Sequence, residues 1–325
     1  MAVVKNKKLI VDLLNKDLQD EHGAIIQYLY HAWTLDLPGI SGSLESIARE
    51  EMYHYQWLSQ RVNELGGNPS IGRSPVYLEA PSFKELISLN TKIEDDAIAQ
   101  YEQHISEVDD VSTKRLLQRI LHDERVHREQ FIDMAEQVAA MEKEMEADSD
   151  RSPEAEAKRQ KLFDMLNSSV KEEYTAILQY LHQAYTAKDA KFGHYMEQIA
   201  VTEMKHMGWL AEEVADRGGK PTMERDKAQL AEEKEDMIQI NIDGEVKAVS
   251  DYGERAEATD DEEVKELFER LKYHEEVHRD DLEVFLEEAK KEASEPNGDN
   301  KKAPVKKEPG FTVGSLLKNQ RRSDS

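Results

Sequence analysis

Apolar positions along this chain recur every three or four residues, with charged positions between them. Leu9, Leu13, Leu14 and Leu18 open the first such run, and that spacing places apolar side chains on one face of an α-helix. Runs of this kind predict helices near 7–33, 42–65, 82–107 and 111–146. Two of the connections are short, which suits antiparallel neighbours. The link near 66–81 is longer and carries Pro69, Pro75 and Pro81. Four helices with one long crossover make a bundle rather than a β fold.

The pattern then repeats. Leu14-Asn15 returns as Leu166-Asn167, Gln27-Tyr28-Leu29 as Gln179-Tyr180-Leu181, and Trp57-Leu58 as Trp209-Leu210. Gly66-Gly67 returns as Gly218-Gly219. The offset is about 152 residues and slips by one further on, where Tyr101 answers to Tyr252. Two copies of one domain follow, spanning 1–146 and 158–293, with a polar joint at 147–157. The second copy's crossover reads as shorter, roughly 217–225. The expected architecture is all-α, with two tandem four-helix bundles and a disordered C-terminal tail.

Four Glu-x-x-His pairs lie on these helices: Glu51–His54, Glu124–His127, Glu203–His206 and Glu275–His278. Residues i and i+3 share a helix face one turn apart, so each pair can hold a metal ion from a single helix. A bundle that binds two ions this way takes one further Glu from each remaining helix. Glu21 matches Glu173 across the repeat, whereas Glu172 matches Asp20. On the third helix Glu94, Asp95 and Asp96 compete; Glu94 aligns with Glu245, and its rivals align with Val246 and Lys247. The expected centres are therefore Glu21, Glu51, His54, Glu94, Glu124 and His127 in one copy. In the other they are Glu173, Glu203, His206, Glu245, Glu275 and His278. Oxygen and nitrogen donors in this mixture suit iron or manganese and admit zinc. Tyr28, Tyr101, Tyr180 and Tyr252 each stand seven residues, about two turns, beyond a lone Glu, placed to hydrogen-bond the carboxylates or to pack as core aromatics. His22, His31 and His104 have no His counterpart in the other copy and read as structural.

Composition narrows the chemistry. Asp plus Glu number 68 against 43 Lys plus Arg, for a net charge of −25, which repels nucleic acid and draws cations inward. There are no cysteines, which excludes disulfides, iron–sulfur clusters and thiolate metal sites. No apolar run reaches the ~20 residues a membrane helix needs, and Met1 to Leu14 lacks a signal-peptide core. A cytoplasmic protein is expected, with homo-oligomer formation left open.

Taken together, Leu14-Asn15-x-x-Leu18-x-x-Glu21, Gln27-Tyr28, His31-Ala32, Glu203-Met204-Lys205-His206 and the Gly-Gly-x-Pro loops resemble the ferritin-like superfamily, bacterioferritins in particular. The resemblance covers both copies. It implies a ferroxidase that binds Fe(II) in pairs, oxidises it with dioxygen or hydrogen peroxide, and releases Fe(III) for storage. Rubrerythrins, the alternative relatives, carry a cysteine-ligated iron domain and an extra Glu where Ala97 and Ala248 stand here. Bacterioferritins also bind haem b through a second-helix Met; Met52 and Met204 occupy that position, where packing is the competing role. Two other functions remain in view: a di-iron or di-manganese peroxidase or catalase, and a non-catalytic metal-binding or packing protein.

The tail carries a further resemblance. Residues 294–310 are rich in Pro, Lys, Asn and Gly and read as a flexible linker. Beyond them lies an apolar island, Phe311-Thr312-Val313-Gly314-Ser315-Leu316-Leu317. It is similar to the peptides by which cargo docks inside encapsulin shells. That resemblance makes 311–325 a targeting peptide, the shell protein a partner and the interior of an encapsulin nanocompartment the expected location.

Overall fold

In a computed structural model of the chain, residues 6–35, 37–141 and 153–294 are described. They form eight α-helices, and no strand occurs among them. The helices are α1 (Lys7–Thr34), α2 (Pro38–Glu64), α3 (Phe83–Glu107), α4 (Val111–Met141), α5 (Pro153–Thr186), α6 (Ala190–Asp216), α7 (Lys234–Ala258) and α8 (Glu262–Ser294). The expected fold holds: two tandem four-helix bundles. The apolar heptapeptide at 311–317 lies outside the described residues.

Local chemistry sets the helix ends. Asn6 caps α1 by accepting from the Leu9 amide at 3.2 Å. Ser82 caps α3 by accepting from the Glu85 amide, the Ser-x-x-Glu spacing of a capping box. α2 starts at Pro38, earlier than the expected 42, because proline's fixed φ suits the first helical turn, where its missing N–H costs nothing. α2 and α6 end alike: Gly66 (φ +82°) and Gly218 (φ +71°) take the left-handed conformation that side chains resist. The next amides, Gly67 N–H and Gly219 N–H, close back onto the Val62 and Val214 carbonyls at 2.9 and 2.8 Å.

The described residues divide into two compact units, one within Met1–Met196 and Glu203–Ala228, the other within Glu197–Thr202 and Gln229–Ser325. In the first unit, Leu44, Ile47, Ile87, Phe131 and Val138 form a core between α2, α3 and α4. In the second unit, α7 packs along α8, with Ile238, Val264, Phe268 and Leu271 fully buried.

The first crossover, 65–82, is stitched to α1. Asn15 donates to the Asn68 carbonyl at 3.1 Å and accepts from the Ser70 amide at 2.8 Å. Asn167 repeats both bonds with Lys220 and Thr222, which explains the recurring Leu-Asn pair. Further along, the Tyr77 amide donates to Gln27 Oε1 at 2.6 Å, and Gln27 donates to Asn90 Oδ1 at 2.9 Å. The second crossover is much longer than the roughly 217–225 that the sequence suggested: α7 begins only at Lys234, so it runs nearly the length of the first. The Asp226 amide donates to Thr175 Oγ1 at 2.9 Å and its carboxylate pairs with Lys171 at 2.7 Å, holding that stretch extended along α5.

Candidate metal centre

Four helices of the first unit each send acidic or imidazole groups into the bundle interior. Glu21 comes from α1, Glu51 and His54 from α2, Glu94 from α3, and Glu124 and His127 from α4. All six are at most 5 % exposed. Carboxylates are almost never buried so completely unless paired or coordinating a metal. Their donor atoms fall into two overlapping quartets: Glu21, Glu51, His54 and Glu124, and Glu51, Glu94, Glu124 and His127. Within each quartet the donor atoms lie within 4.8 Å of one another. Glu51 and Glu124 belong to both, as carboxylates bridging two positions would.

His54 Nδ1 stands 2.7 Å from Glu51 Oε2 and 2.9 Å from Glu124 Oε1. His127 Nδ1 stands 2.9 Å from Glu51 Oε1. Yet both Nδ1 atoms, both Glu51 oxygens, Glu124 Oε1 and Glu94 Oε2 lack a hydrogen-bonding partner. Buried polar atoms left without a hydrogen bond each cost on the order of 1–3 kcal/mol. A pair of cations would satisfy them together, so the residues fit the two metal ions the sequence implies.

The electrostatics without cations are those of crowded charge. Burial, reinforced by Glu124 and Glu51, pushes the Glu21 and Glu94 carboxyls well above the usual range. Burial and Glu124 also push Glu51 up, but the His127 and His54 imidazoles beside it prevail and hold it low. Burial works against the His54 imidazolium, and Glu51, Glu124 and Glu21 overcome it, raising His54 well above its ordinary value.

The tyrosines bond across helices rather than along them. Tyr28 of α1 donates to Glu94 Oε1 of α3 at 2.5 Å, and Tyr101 of α3 donates to Glu21 Oε1 of α1. Burial and these carboxylates raise both phenols well above 10. A cavity of about 280 Å³ reaches Glu21, Glu94 and Glu124 from the side of α1 and α3, past Asp20, Ala97 and Gln100.

In the second copy, each unit holds one half of the expected set. In the first unit His206 Nδ1 lies 2.6 Å from Glu203 Oε2 and 3.7 Å from Glu173 Oε1. These distances match the 2.7 and 3.6 Å that separate His54 from Glu51 and Glu21. In the second unit His278 Nδ1 lies 3.1 Å from Glu275 Oε2 and 4.0 Å from Glu245 Oε1. All six are buried, as are Tyr180 and Tyr252. Met52 and Met204 are half-buried on α2 and α6.

Two residues of the first centre escaped the sequence reading. Glu50 Oε2 lies 3.0 Å from His127 Nε2, and Asp123 Oδ2 lies 3.4 Å from His54 Nε2. Outer carboxylates of this kind fix the imidazole tautomer and orientation. Each directly precedes a ligand Glu. The second copy has Thr202 and His274 there, so the repeat used to find the ligands concealed them.

A family model described as Ferritin-like domain matches twice, over residues 11–141 and 163–291. The chain belongs to this ferritin-like family. The chain is similar to a bacterioferritin from Desulfovibrio desulfuricans, 28% identical over 127 residues, covering 37% of this chain and 71% of that protein. It is also similar to a 3-demethoxyubiquinol 3-hydroxylase from Alcanivorax borkumensis, 30% identical over 111 residues. That match covers 31% of this chain and 51% of the hydroxylase, so the chain spans about half the length of the hydroxylases it resembles. Among solved structures, the D. desulfuricans bacterioferritin, whose diiron site was captured in different catalytic states, matches with a TM-score of 0.40 and 26% identity. The match covers 42% of this chain and 82% of the other. No helix among the described residues is long and apolar enough to cross a membrane.

Proposed function

We propose that the chain is a ferroxidase, with one two-iron centre in each ferritin-like copy. The observation that carries this is the pair of overlapping quartets sharing Glu51 and Glu124. Two adjacent positions, bridged by carboxylates and each finished by one His, suit two Fe(II) ions. Together two such ions supply two electrons to an oxidant. Around them Glu51 and Glu124 hold the positions together, and His54 and His127 fix the two ends. Tyr28 and Tyr101 steady Glu94 and Glu21 from the opposite helix. The second copy carries the same residue types at the matching positions, Glu173, Glu203, His206, Glu245, Glu275 and His278, and this repetition in sequence supports a second centre.

The similarity to a bacterioferritin supports iron as substrate. The acidic balance supports cation uptake. The apolar segment 311–317 supports a role as cargo of an encapsulin shell, where the compartment would keep the ferric product.

The test compares the wild-type protein with the Glu51→Ala/Glu203→Ala double variant. Fe(II) oxidation is followed by absorbance with dioxygen and, separately, with hydrogen peroxide. Rapid oxidation by dioxygen that the double variant loses supports the ferroxidase. Oxidation by peroxide alone would instead favour a peroxidase, and unchanged rates in the double variant would refute the site. Deleting 311–325 should abolish co-purification with a shell while sparing oxidation; retained loading would refute the cargo role.

A further inference from the structure

One turn beyond the first centre lies a pair that the ferroxidase reading leaves unused. Asp17 sits four residues before Glu21 on α1. His104 sits three after Tyr101 on α3. Asp17 is 1 % exposed and His104 2 %. His104 Nδ1 lies 2.8 Å from Asp17 Oδ1, yet neither Nδ1 nor Asp17 Oδ2 has a hydrogen-bonding partner. The polar bond that Asp17 does make is with Gln100 Nε2, at 2.9 Å to Oδ1.

An ordinary buried Asp–His pair would aim the imidazole N–H at the carboxylate. Here nitrogen and oxygen crowd together without doing so. In the metal centre His54 shows the same relation to Glu51 and Glu124, and His127 to Glu51: close approach at 2.7 to 2.9 Å with the Nδ1 atoms lacking a hydrogen bond. Two ligands each about 2.1 Å from one ion stand about 3 Å apart, which is the separation found.

We propose that Asp17 and His104 hold a further divalent transition-metal ion of the Fe(II) class, a mononuclear site distinct from the two-iron centre. The donor pair of one carboxylate and one imidazole suits such an ion. It gives His104 Nδ1 a partner, and Asp17 Oδ2 is a carboxylate oxygen with no hydrogen bond of its own. Gln100 ties the site to the approach route: its Nε2 also donates to Asp20 Oδ2 at 2.7 Å, and both Gln100 and Asp20 line the cavity leading to the centre. An ion held here stands about one helical turn, ~5 Å, from Glu21, positioned to supply the centre. The site belongs to the first copy alone. At the matching positions of the second stand Ser169 and Arg255, and a guanidinium repels a cation.

The test is Co(II) titration of the metal-free, full-length protein, followed by the visible ligand-field bands and by equilibrium metal analysis. Wild type should bind one equivalent more per chain than either His104→Leu or Asp17→Asn. The difference spectrum should be that of a single imidazole–carboxylate site. Equal counts in wild type and in both variants, with folded protein confirmed by circular dichroism, would overturn the proposal. Repeating the comparison in a Glu51→Ala/Glu124→Ala background separates it from the two-iron reading. There the first centre is removed, and adding His104→Leu should still cost one equivalent of bound metal. Disappearance of that difference would mean that the ion belongs to the centre itself.

Discussion

His22 and Tyr174 occupy the same position in the two repeats, 152 residues apart, and they touch: His22 Nε2 lies 2.6 Å from the Tyr174 hydroxyl. His22 Nδ1 lies 2.8 Å from the Gly72 carbonyl. That carbonyl must receive a proton, so Nδ1 carries it and Nε2 accepts from Tyr174. Both rings are buried and meet edge to face at 5.6 Å. Had the copies stayed identical, the like residues meeting here would not form this complementary pair.

Tyr174→Phe therefore removes the donor and strands a buried imidazole nitrogen. The expected cost is about 1–3 kcal/mol of stability, read from the midpoint of urea unfolding. A midpoint equal to wild type would contradict the hydrogen bond.

Acid should weaken the fold through buried histidines. Burial lowers His22 from 6.5 to about 3 and His31 to about 4. The unfolded chain thus takes up these protons first as pH falls. Their contribution is whole above about pH 6.5 and is lost as pH descends toward 4 and then 3. Between pH 6.5 and 5 each histidine should cost about 2 kcal/mol. His31→Gln, which installs the residue found at Gln183 in the other copy, should fold and flatten the pH dependence of the unfolding midpoint. An unaltered slope would show that His31 takes up its proton as readily in the folded chain as in the unfolded one.

The turn glycines should tolerate nothing larger. A Cβ at Gly67 would stand 2.6 Å from Val11 Cγ1, and one at Gly219 would stand 2.8 Å from Phe163. Either Gly→Ala change should lower stability by about 1–3 kcal/mol through overpacking. Thermal unfolding measures it, and a melting temperature unchanged in both variants would show that the loops yield freely.

Glu50→Gln and Asp123→Asn should loosen the first centre's hold on metal by about tenfold or more, since each outer carboxylate orients a ligand imidazole. Thr202 and His274 stand in the second copy, so its affinity should be unaffected. Competitive Zn(II) titration would resolve the two classes, and equal weakening of both would refute the assignment to Glu50 and Asp123.

Much of this architecture was legible because the chain states it twice. Glu94 stood out from Asp95 and Asp96 only because Glu245 answers to it; in the structure it lies in a buried quartet with Glu51, Glu124 and His127. The cross-helix bonds of Tyr28 and Tyr101 were not legible, because spacing along one helix says nothing of which carboxylate a neighbouring helix presents. The same holds for His104: without a counterpart it read as structural, and its relation to Asp17 appears only when α1 and α3 pack together. The second crossover was misjudged because Thr175 and Lys171, which hold Asp226, lie some fifty residues away on α5.

The central claim is best tested by anaerobic Fe(II) loading followed by a pulse of dioxygen, with the fast ferric absorbance plotted against Fe(II) added. Two working centres predict a break at about four Fe(II) per chain, falling to about half when Glu51 alone is replaced by Ala. A fast phase that is absent, or that is indifferent to Glu51, would contradict the account.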